Sequence, residues 1–221
     1  MSRVPGLAAV VLCGGESSRM GRPKAFLPFG GEPLLARVAR RLAEVASPIV
    51  VVAAPDQALP PLPEHIVIAR DAVAGRGPLQ GLLAGLDALD PGERAAFVTS
   101  TDAPFLSPAF VRRMETLRSE GEYDAAVPEV EGRRHPLAAV YALSVRGRIA
   151  GMLAQDQLRL RAIFDRLRAR VVTAEELLAD PDLARADPDL ASLRNLNTPE
   201  DYRAALSEAG FDDAPDPVRN E

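Results

Sequence analysis

At 221 residues with 47% hydrophobic side chains, the chain is long enough to bury a full core and reads as one domain. A net charge of −5 offers no general basic face for coating nucleic acid. One cysteine, Cys13, excludes an internal disulfide, and the two histidines, His65 and His135, leave little for a zinc site. No apolar stretch approaches the ~20 residues of a membrane-spanning helix, so the expectation is a cytoplasmic protein with neither nucleic acid nor membrane as partner.

The first element is an unbroken apolar run, Leu7 to Cys13, with the length and β-branching of a strand buried on both faces of a parallel sheet. It opens into a loop carrying Gly14 and Gly15, the hydroxyls of Ser17 and Ser18, and two cations, Arg19 and Lys24. Such a loop suits the base and phosphates of a nucleotide, because bare backbone can approach a ligand and cations can hold anionic oxygens. It is not a P-loop, since Arg22 and Pro23 separate Gly21 from Lys24 and Ala25 follows. Nor is it a dinucleotide fingerprint, because Gly14 and Gly15 are adjacent and no helical pattern begins until about Pro33.

From Pro33 to Ala46, Leu34, Leu35, Val38, Leu42 and Val45 share one face of a predicted covering helix. The runs at 48–55 and 66–69 read as interior parallel strands. Asp71 then opens a second Gly-punctuated loop, feeding a helix striped by Leu79, Leu82, Leu83, Leu86 and Leu89. Ala95 to Thr99 is a further buried strand that runs into Ser100-Thr101-Asp102, after which Ser107 caps a helix with Pro108 in its first position.

Beyond Tyr123 the pattern is less regular. Residues 125–128 and 137–143 read as strands around EGRRHP, 145–155 and 160–167 as helices, and RVV near 171 as a last short strand. Asn197-Thr198-Pro199 leads into a helix that Thr198 caps, with Glu200 and Asp201 in its first turn. Serial βα units predict an α/β fold, a mostly parallel, doubly wound, Rossmann-like sheet with helices on both faces. The domain is expected to span 1–207, with 208–221 a disordered acidic tail.

Ligands of such sheets lie beyond the carboxyl ends of the strands, where the 14–24 loop, Asp71, Asp102 and Asn197 all fall. Together they supply backbone, cations and hard oxygen donors, which is what nucleotidyl transfer from a magnesium-bound triphosphate requires. Read singly, they are weaker signals. Asp102 and Asp71 would serve as turn residues and Asn197 as a helix-entry residue, while Arg133, Arg134, Arg159 and Arg161 read as solvated charge. Cys13 reads as a small buried hydrophobe and His135 as a loop residue.

The segment LCGGESSRMGRPKAFLPFGGEPLL resembles the N-terminal signature of the MobA-like nucleotidyltransferases, and within them the molybdenum cofactor guanylyltransferases. GPLQGLLAGL at 77–86, TDAPFL at 101–106, RRHPLAAVY at 133–141 and NLNTPEDY at 195–202 resemble the family's later motifs in order. The resemblance implies that the chain joins GTP to molybdopterin, as the Mo-molybdopterin form, releasing pyrophosphate and forming the guanine dinucleotide cofactor. It assigns Leu12, Gly14 and Gly15 to guanine, Arg19 and Lys24 to phosphates, Asp71 to the nucleotide, Asp102 to Mg²⁺ and Asn197 to a second metal-site position. Lys24, Arg19 and Asp102 are thereby the expected catalytic residues, and molybdoenzyme apo-proteins or their chaperones the implied recipients.

Two departures stand in the loop, Cys13 where the family commonly has Ala and Pro23 where it has Asp. Arg22-Pro23-Lys24 is shared with the molybdopterin cytidylyltransferases, whereas Gly14-Gly15 and HPLAAVY favour guanine. A cytidylyltransferase or other nucleotidyltransferase of this fold, and a non-catalytic carrier of the finished cofactor, are the alternatives.

Overall fold

A computed structural model describes residues 2–14, 23–71 and 76–211. Strand β1 (Leu7–Leu12) is buried at every position. A small hairpin, β2 (Pro28–Phe29) against β3 (Glu32–Pro33), precedes helix α1 (Leu34–Ala43), which is followed by β4 (Ile49–Ala53) and β5 (Ile66–Arg70). Next come α2 (Pro78–Asp87), β6 (Ala95–Ser100), α3 (Pro108–Ser119), β7 (Ala125–Val130), β8 (Arg133–Arg134) and β9 (Ala138–Ala142). The chain closes with α4 (Arg146–Ala154), β10 (Ala169–Thr173), α5 (Ala174–Leu178), α6 (Pro181–Ala186) and α7 (Pro199–Glu208). The segment expected as a helix over 160–167 is a 3₁₀ stretch, Leu160–Asp165.

The main sheet has the order β10-β7-β9-β6-β1-β4-β5, with β8 hydrogen-bonded beside β7. β1 pairs in parallel with β4 and β6, β4 with β5, and β7 with β10. β9 runs antiparallel to both β6 and β7. The sheet is therefore mixed but mostly parallel, and β1, β4, β5, β6, β7 and β10 all end on one edge.

Alternation along β1 sends Ala9 and Val11 to one face and Val10 and Leu12 to the other. On the first face Leu35, Val38 and Leu42 of α1 pack with Phe110 and Met114 of α3, and on the second Leu79, Leu82 and Leu86 of α2 pack with Ile149 and Met152 of α4. Each such side chain, fully buried, contributes about 1.5–3 kcal/mol. A third, smaller cluster joins Leu27, Phe29 and Leu34 to Leu196, Tyr202 and Leu206, so the turn after Lys24 is packed against α7. The Tyr202 hydroxyl donates to the Pro28 carbonyl, and Phe211 meets Phe29 edge-on at 5.5 Å between centroids. Packed chain thus continues to Phe211, and most of the expected tail lies outside the described residues.

One strand departs from expectation. Residues 66–70 form the edge of the sheet rather than an interior strand, with Val67 41% and Ile68 40% exposed. Helix α2 carries glycine where it packs against β1 and β4. A Cβ at Gly85 would stand 2.4 Å from Val10 Cγ1 and 3.0 Å from Val52 Cγ2. Helix propensity alone would make Gly85→Ala stabilising by about 1 kcal/mol. Both valines are buried and stiff at χ1, so overpacking of about 1–3 kcal/mol wins and the denaturation midpoint falls. A Gly85→Ala protein more stable than wild type would show that α2 can shift freely.

Candidate active site at the carboxyl edge

The strand order puts the end of β1 at the centre of that edge, flanked by the ends of β6 and β4. Beyond β6, Asp102 sits in a turn whose backbone is tied on both sides. Thr101 N donates to the Leu12 carbonyl at 3.3 Å, and Leu196 N donates to the Asp102 carbonyl at 2.9 Å. The second bond brings the segment entering α7 against the turn, 94 residues away in sequence.

The Asp102 carboxylate is the focus. Its Oδ2 receives Lys24 Nζ at 2.7 Å, and its Oδ1 receives Ser100 Oγ at 2.5 Å. The pair is partly buried, with side chains 21% exposed for Lys24 and 13% for Asp102. Lys24 begins a 3₁₀ turn, Lys24–Phe26, held in place by Ala25 in the main core and Leu27 in the small cluster. Of the expected site residues, Leu12, Gly14, Lys24, Asp71, Asp102 and Asn197 are all at this edge, while Gly15 and Arg19 lie outside the described residues.

Each has a distinct setting. The side chain of Leu12 faces α2, against Gly81, and its carbonyl is engaged by Thr101. Among the described residues nothing stands within 4 Å of a Cβ built on Gly14, which leaves its backbone approachable by a ligand. Asp71 follows β5 directly and its N–H bonds the Ala53 carbonyl at 2.9 Å, two strands away from β1.

Asn195 and Asn197 are exposed on either side of buried Leu196, as alternate residues of an extended segment. Asn195 Nδ2 donates to Ser100 Oγ at 3.4 Å, which links this segment to the carboxylate. The N–H groups of Asn197 and Thr198 both donate to Asp201 Oδ2 at 2.9 Å, and Thr198 Oγ1 accepts from Asp201 N in a reciprocal cap. Those donors, the Asn197 N–H first, hold the Asp201 carboxyl below the ordinary aspartate range, and the nearby Lys24 cation adds to the effect.

Sequence reasoning passed over Ser100 and Asn195. Both stand two residues before an expected site residue: Asn195 shares a face with Asn197 in extended chain, and Ser100 ends β6 just ahead of the turn that carries Asp102. A cleft of about 810 Å³ adjoins the site through Asn195, Asn197 and Asp201 and extends to Arg133 and His135 at the β8 hairpin. On its wall Arg194 lies 4.5 Å above the Phe105 ring and is paired with Glu208 at 2.6 Å. His135 is held neutral, its pKa lowered by burial first and then by the Arg133 and Arg161 cations. Burial likewise keeps the Cys13 thiol protonated.

All donors gathered here are hard oxygens or amides, and no group of three or more His, Cys, Asp or Glu occurs among the described residues. One carboxylate with a hydroxyl and amides nearby fits a divalent cation that arrives with phosphate oxygens and keeps water, as Mg²⁺ does, better than a dedicated protein cage.

Residues 9–171 match the MobA-like NTP transferase domain. The chain belongs to that family. It is 37% identical over 201 residues to a probable molybdenum cofactor guanylyltransferase of Mycobacterium avium, covering 90% of this chain and 94% of that one. The fold is that of molybdopterin-guanine dinucleotide biosynthesis protein A from Archaeoglobus fulgidus, with TM-score 0.73, 22% identity and coverage of 92% and 98%. It is also that of 2-C-methyl-D-erythritol 4-phosphate cytidylyltransferase from Thermus thermophilus, with TM-score 0.63, 20% identity and coverage of 95% and 100%. The chain is thus a nucleotidyltransferase, of a family that typically uses a divalent metal. Among the described residues no helix is long and apolar enough to cross a membrane.

Proposed function

We propose that this nucleotidyltransferase transfers GMP from GTP to the terminal phosphate of molybdopterin, in its Mo-molybdopterin form, with release of pyrophosphate. The observation that carries the reading is the 2.7 Å Lys24–Asp102 pair at the sheet edge, between the bare backbone of Gly14 and the Asn195–Asn197 segment. A cation and a carboxylate held together beside an open backbone crevice are what a nucleoside triphosphate and its metal need.

In this reading Gly14 and the end of β1 face the base, and Asp71 lies on the nucleotide side. Lys24 leaves Asp102 for the phosphates and offsets the charge that develops on their oxygens as pyrophosphate departs. Gly15 and Arg19 join the base and phosphate contacts respectively. Asp102, with Asn197, would hold Mg²⁺, which when bound supplies Lewis-acid stabilisation of the phosphoryl oxygens. Ser100 orients the carboxylate through its Oδ1, and Asn195 supports the Ser100 hydroxyl. The acceptor enters by the neighbouring cleft, so that its terminal phosphate reaches the α-phosphorus in line and no covalent enzyme intermediate is needed.

The test is pyrophosphate release with Mg²⁺ and molybdopterin, comparing GTP, CTP, ATP and UTP and omitting the acceptor in turn. GTP-specific, acceptor-dependent release is expected. Release with CTP alone would move the chain to the cytidylyltransferases, and binding of GTP without release would make it a carrier.

A further inference from the structure

The parallel ladder between β1 and β4 fails at one point, where the nucleotide crevice begins. Its rhythm is regular up to there: Ala9 N donates to the Pro48 carbonyl at 2.9 Å and Cys13 N to the Val52 carbonyl at 2.8 Å. The next bond of a parallel ladder would run from Ala54 N to the Cys13 carbonyl. Instead, the carboxamide of Gln57 stands between them. Ala54 N donates to Gln57 Oε1 at 3.1 Å, and Gln57 Nε2 donates to the Cys13 carbonyl at 2.9 Å.

The side-chain amide thus occupies the place of a direct bond and satisfies both backbone groups while the two strand ends separate. Cys13 is the last residue before Gly14, so this amide holds the carbonyl that leads into Gly14. It is itself fixed from the other side. Arg70 Nη1, at the end of β5, donates to the carbonyls of Ala54 and Gln57 at 2.9 and 2.8 Å, and Asp71 follows immediately.

We propose that Gln57 is a positioning residue for the nucleotide: inserted between β1 and β4, its carboxamide holds the crevice open at Gly14 and in register with Asp71. The role rests on the nucleotide reading above. It acts on binding rather than on the phosphoryl step, because Gln57 bonds neither Lys24 nor Asp102. Two substitutions separate the possibilities. Gln57→Ala lets the ladder close by the direct Ala54–Cys13 bond. Gln57→Glu keeps the shape and the acceptor for Ala54 N but sets a carboxylate against the Cys13 carbonyl.

Calorimetric binding of Mg·GTP and steady-state pyrophosphate release, run with melting curves, provide the test. In both variants Kd and KM for GTP rise about tenfold, the scale of one or two backbone-directed hydrogen bonds, while kcat at saturating GTP stays within about twofold. Unchanged Kd and KM in folded variants, with wild type binding GTP, would overturn the role of Gln57 alone. A fall in kcat and melting temperature with KM unchanged would reduce it to a structural brace and overturn it too. A wild type that binds no nucleotide would remove the nucleotide reading and this role with it.

Discussion

Asp102→Asn is expected to lower pyrophosphate release at saturating GTP by about 10²–10³-fold, the scale of losing one preorganised electrostatic partner of a transferring group. The substitution keeps the side chain's shape and removes its charge. Lys24 then faces an amide where it had a carboxylate at 2.7 Å, and Ser100 Oγ still has an oxygen within reach at 2.5 Å. The backbone of the turn is untouched, since Thr101 N bonds Leu12 and Leu196 N bonds the Asp102 carbonyl. Melting temperature should therefore stay near that of wild type, and the loss should belong to chemistry and metal use rather than folding. A rise in the Mg²⁺ concentration needed for half-maximal release is the accompanying sign. Release at the wild-type rate would remove Asp102 from the metal position and leave the Lys24–Asp102 pair a partly buried ion pair with a structural role only.

How far the sequence foretells this site depends on the distance over which each contact reaches. Lys24 and Asp102 were legible because each follows a buried apolar run, and strand ends of a parallel sheet converge on one edge. Ser107 and Thr198 were legible because caps are local: Ser107 Oγ accepts from Ala109 N at 3.3 Å, and Thr198 closes on Asp201 three residues on. Gln57 was not, because its partner Cys13 lies 44 residues earlier and nothing in PDQALP marks a glutamine that replaces a ladder bond.

The sheet shows the same division. Nothing local distinguishes Ile66–Arg70 from an interior strand, since an apolar run reports burial only if a neighbour exists to cover it. Among the described residues β5 has none on its outer edge. By contrast, the reversal at β9 was within reach. The connection from β7 to β9, which carries only β8, is too short for the helical crossover that a parallel pair needs, and it forces antiparallel pairing.

The second large effect concerns the cation rather than the carboxylate. Lys24→Met should reduce pyrophosphate release by about 10²-fold and at the same time tighten binding of a divalent cation in the absence of nucleotide. Both follow from the one contact. Without nucleotide, Lys24 Nζ occupies Asp102 Oδ2, so a metal approaching that oxygen must displace an ammonium held at 2.7 Å in a partly buried site. Methionine retains most of the length and the apolar stem of lysine but carries no charge, leaving the carboxylate open to Mn²⁺. With nucleotide, the missing cation leaves the phosphate oxygens uncompensated, and turnover suffers although the metal position is easier to fill. Titration of wild type and variant with Mn²⁺, read by electron paramagnetic resonance, checks the first half, and pyrophosphate release the second. If turnover fell and Mn²⁺ binding weakened together, Lys24 would be supporting the metal position rather than competing for it, and its departure to the phosphates would have to be abandoned. If binding tightened and turnover fell, one ion pair would account for both the resting state of the site and its response to a triphosphate.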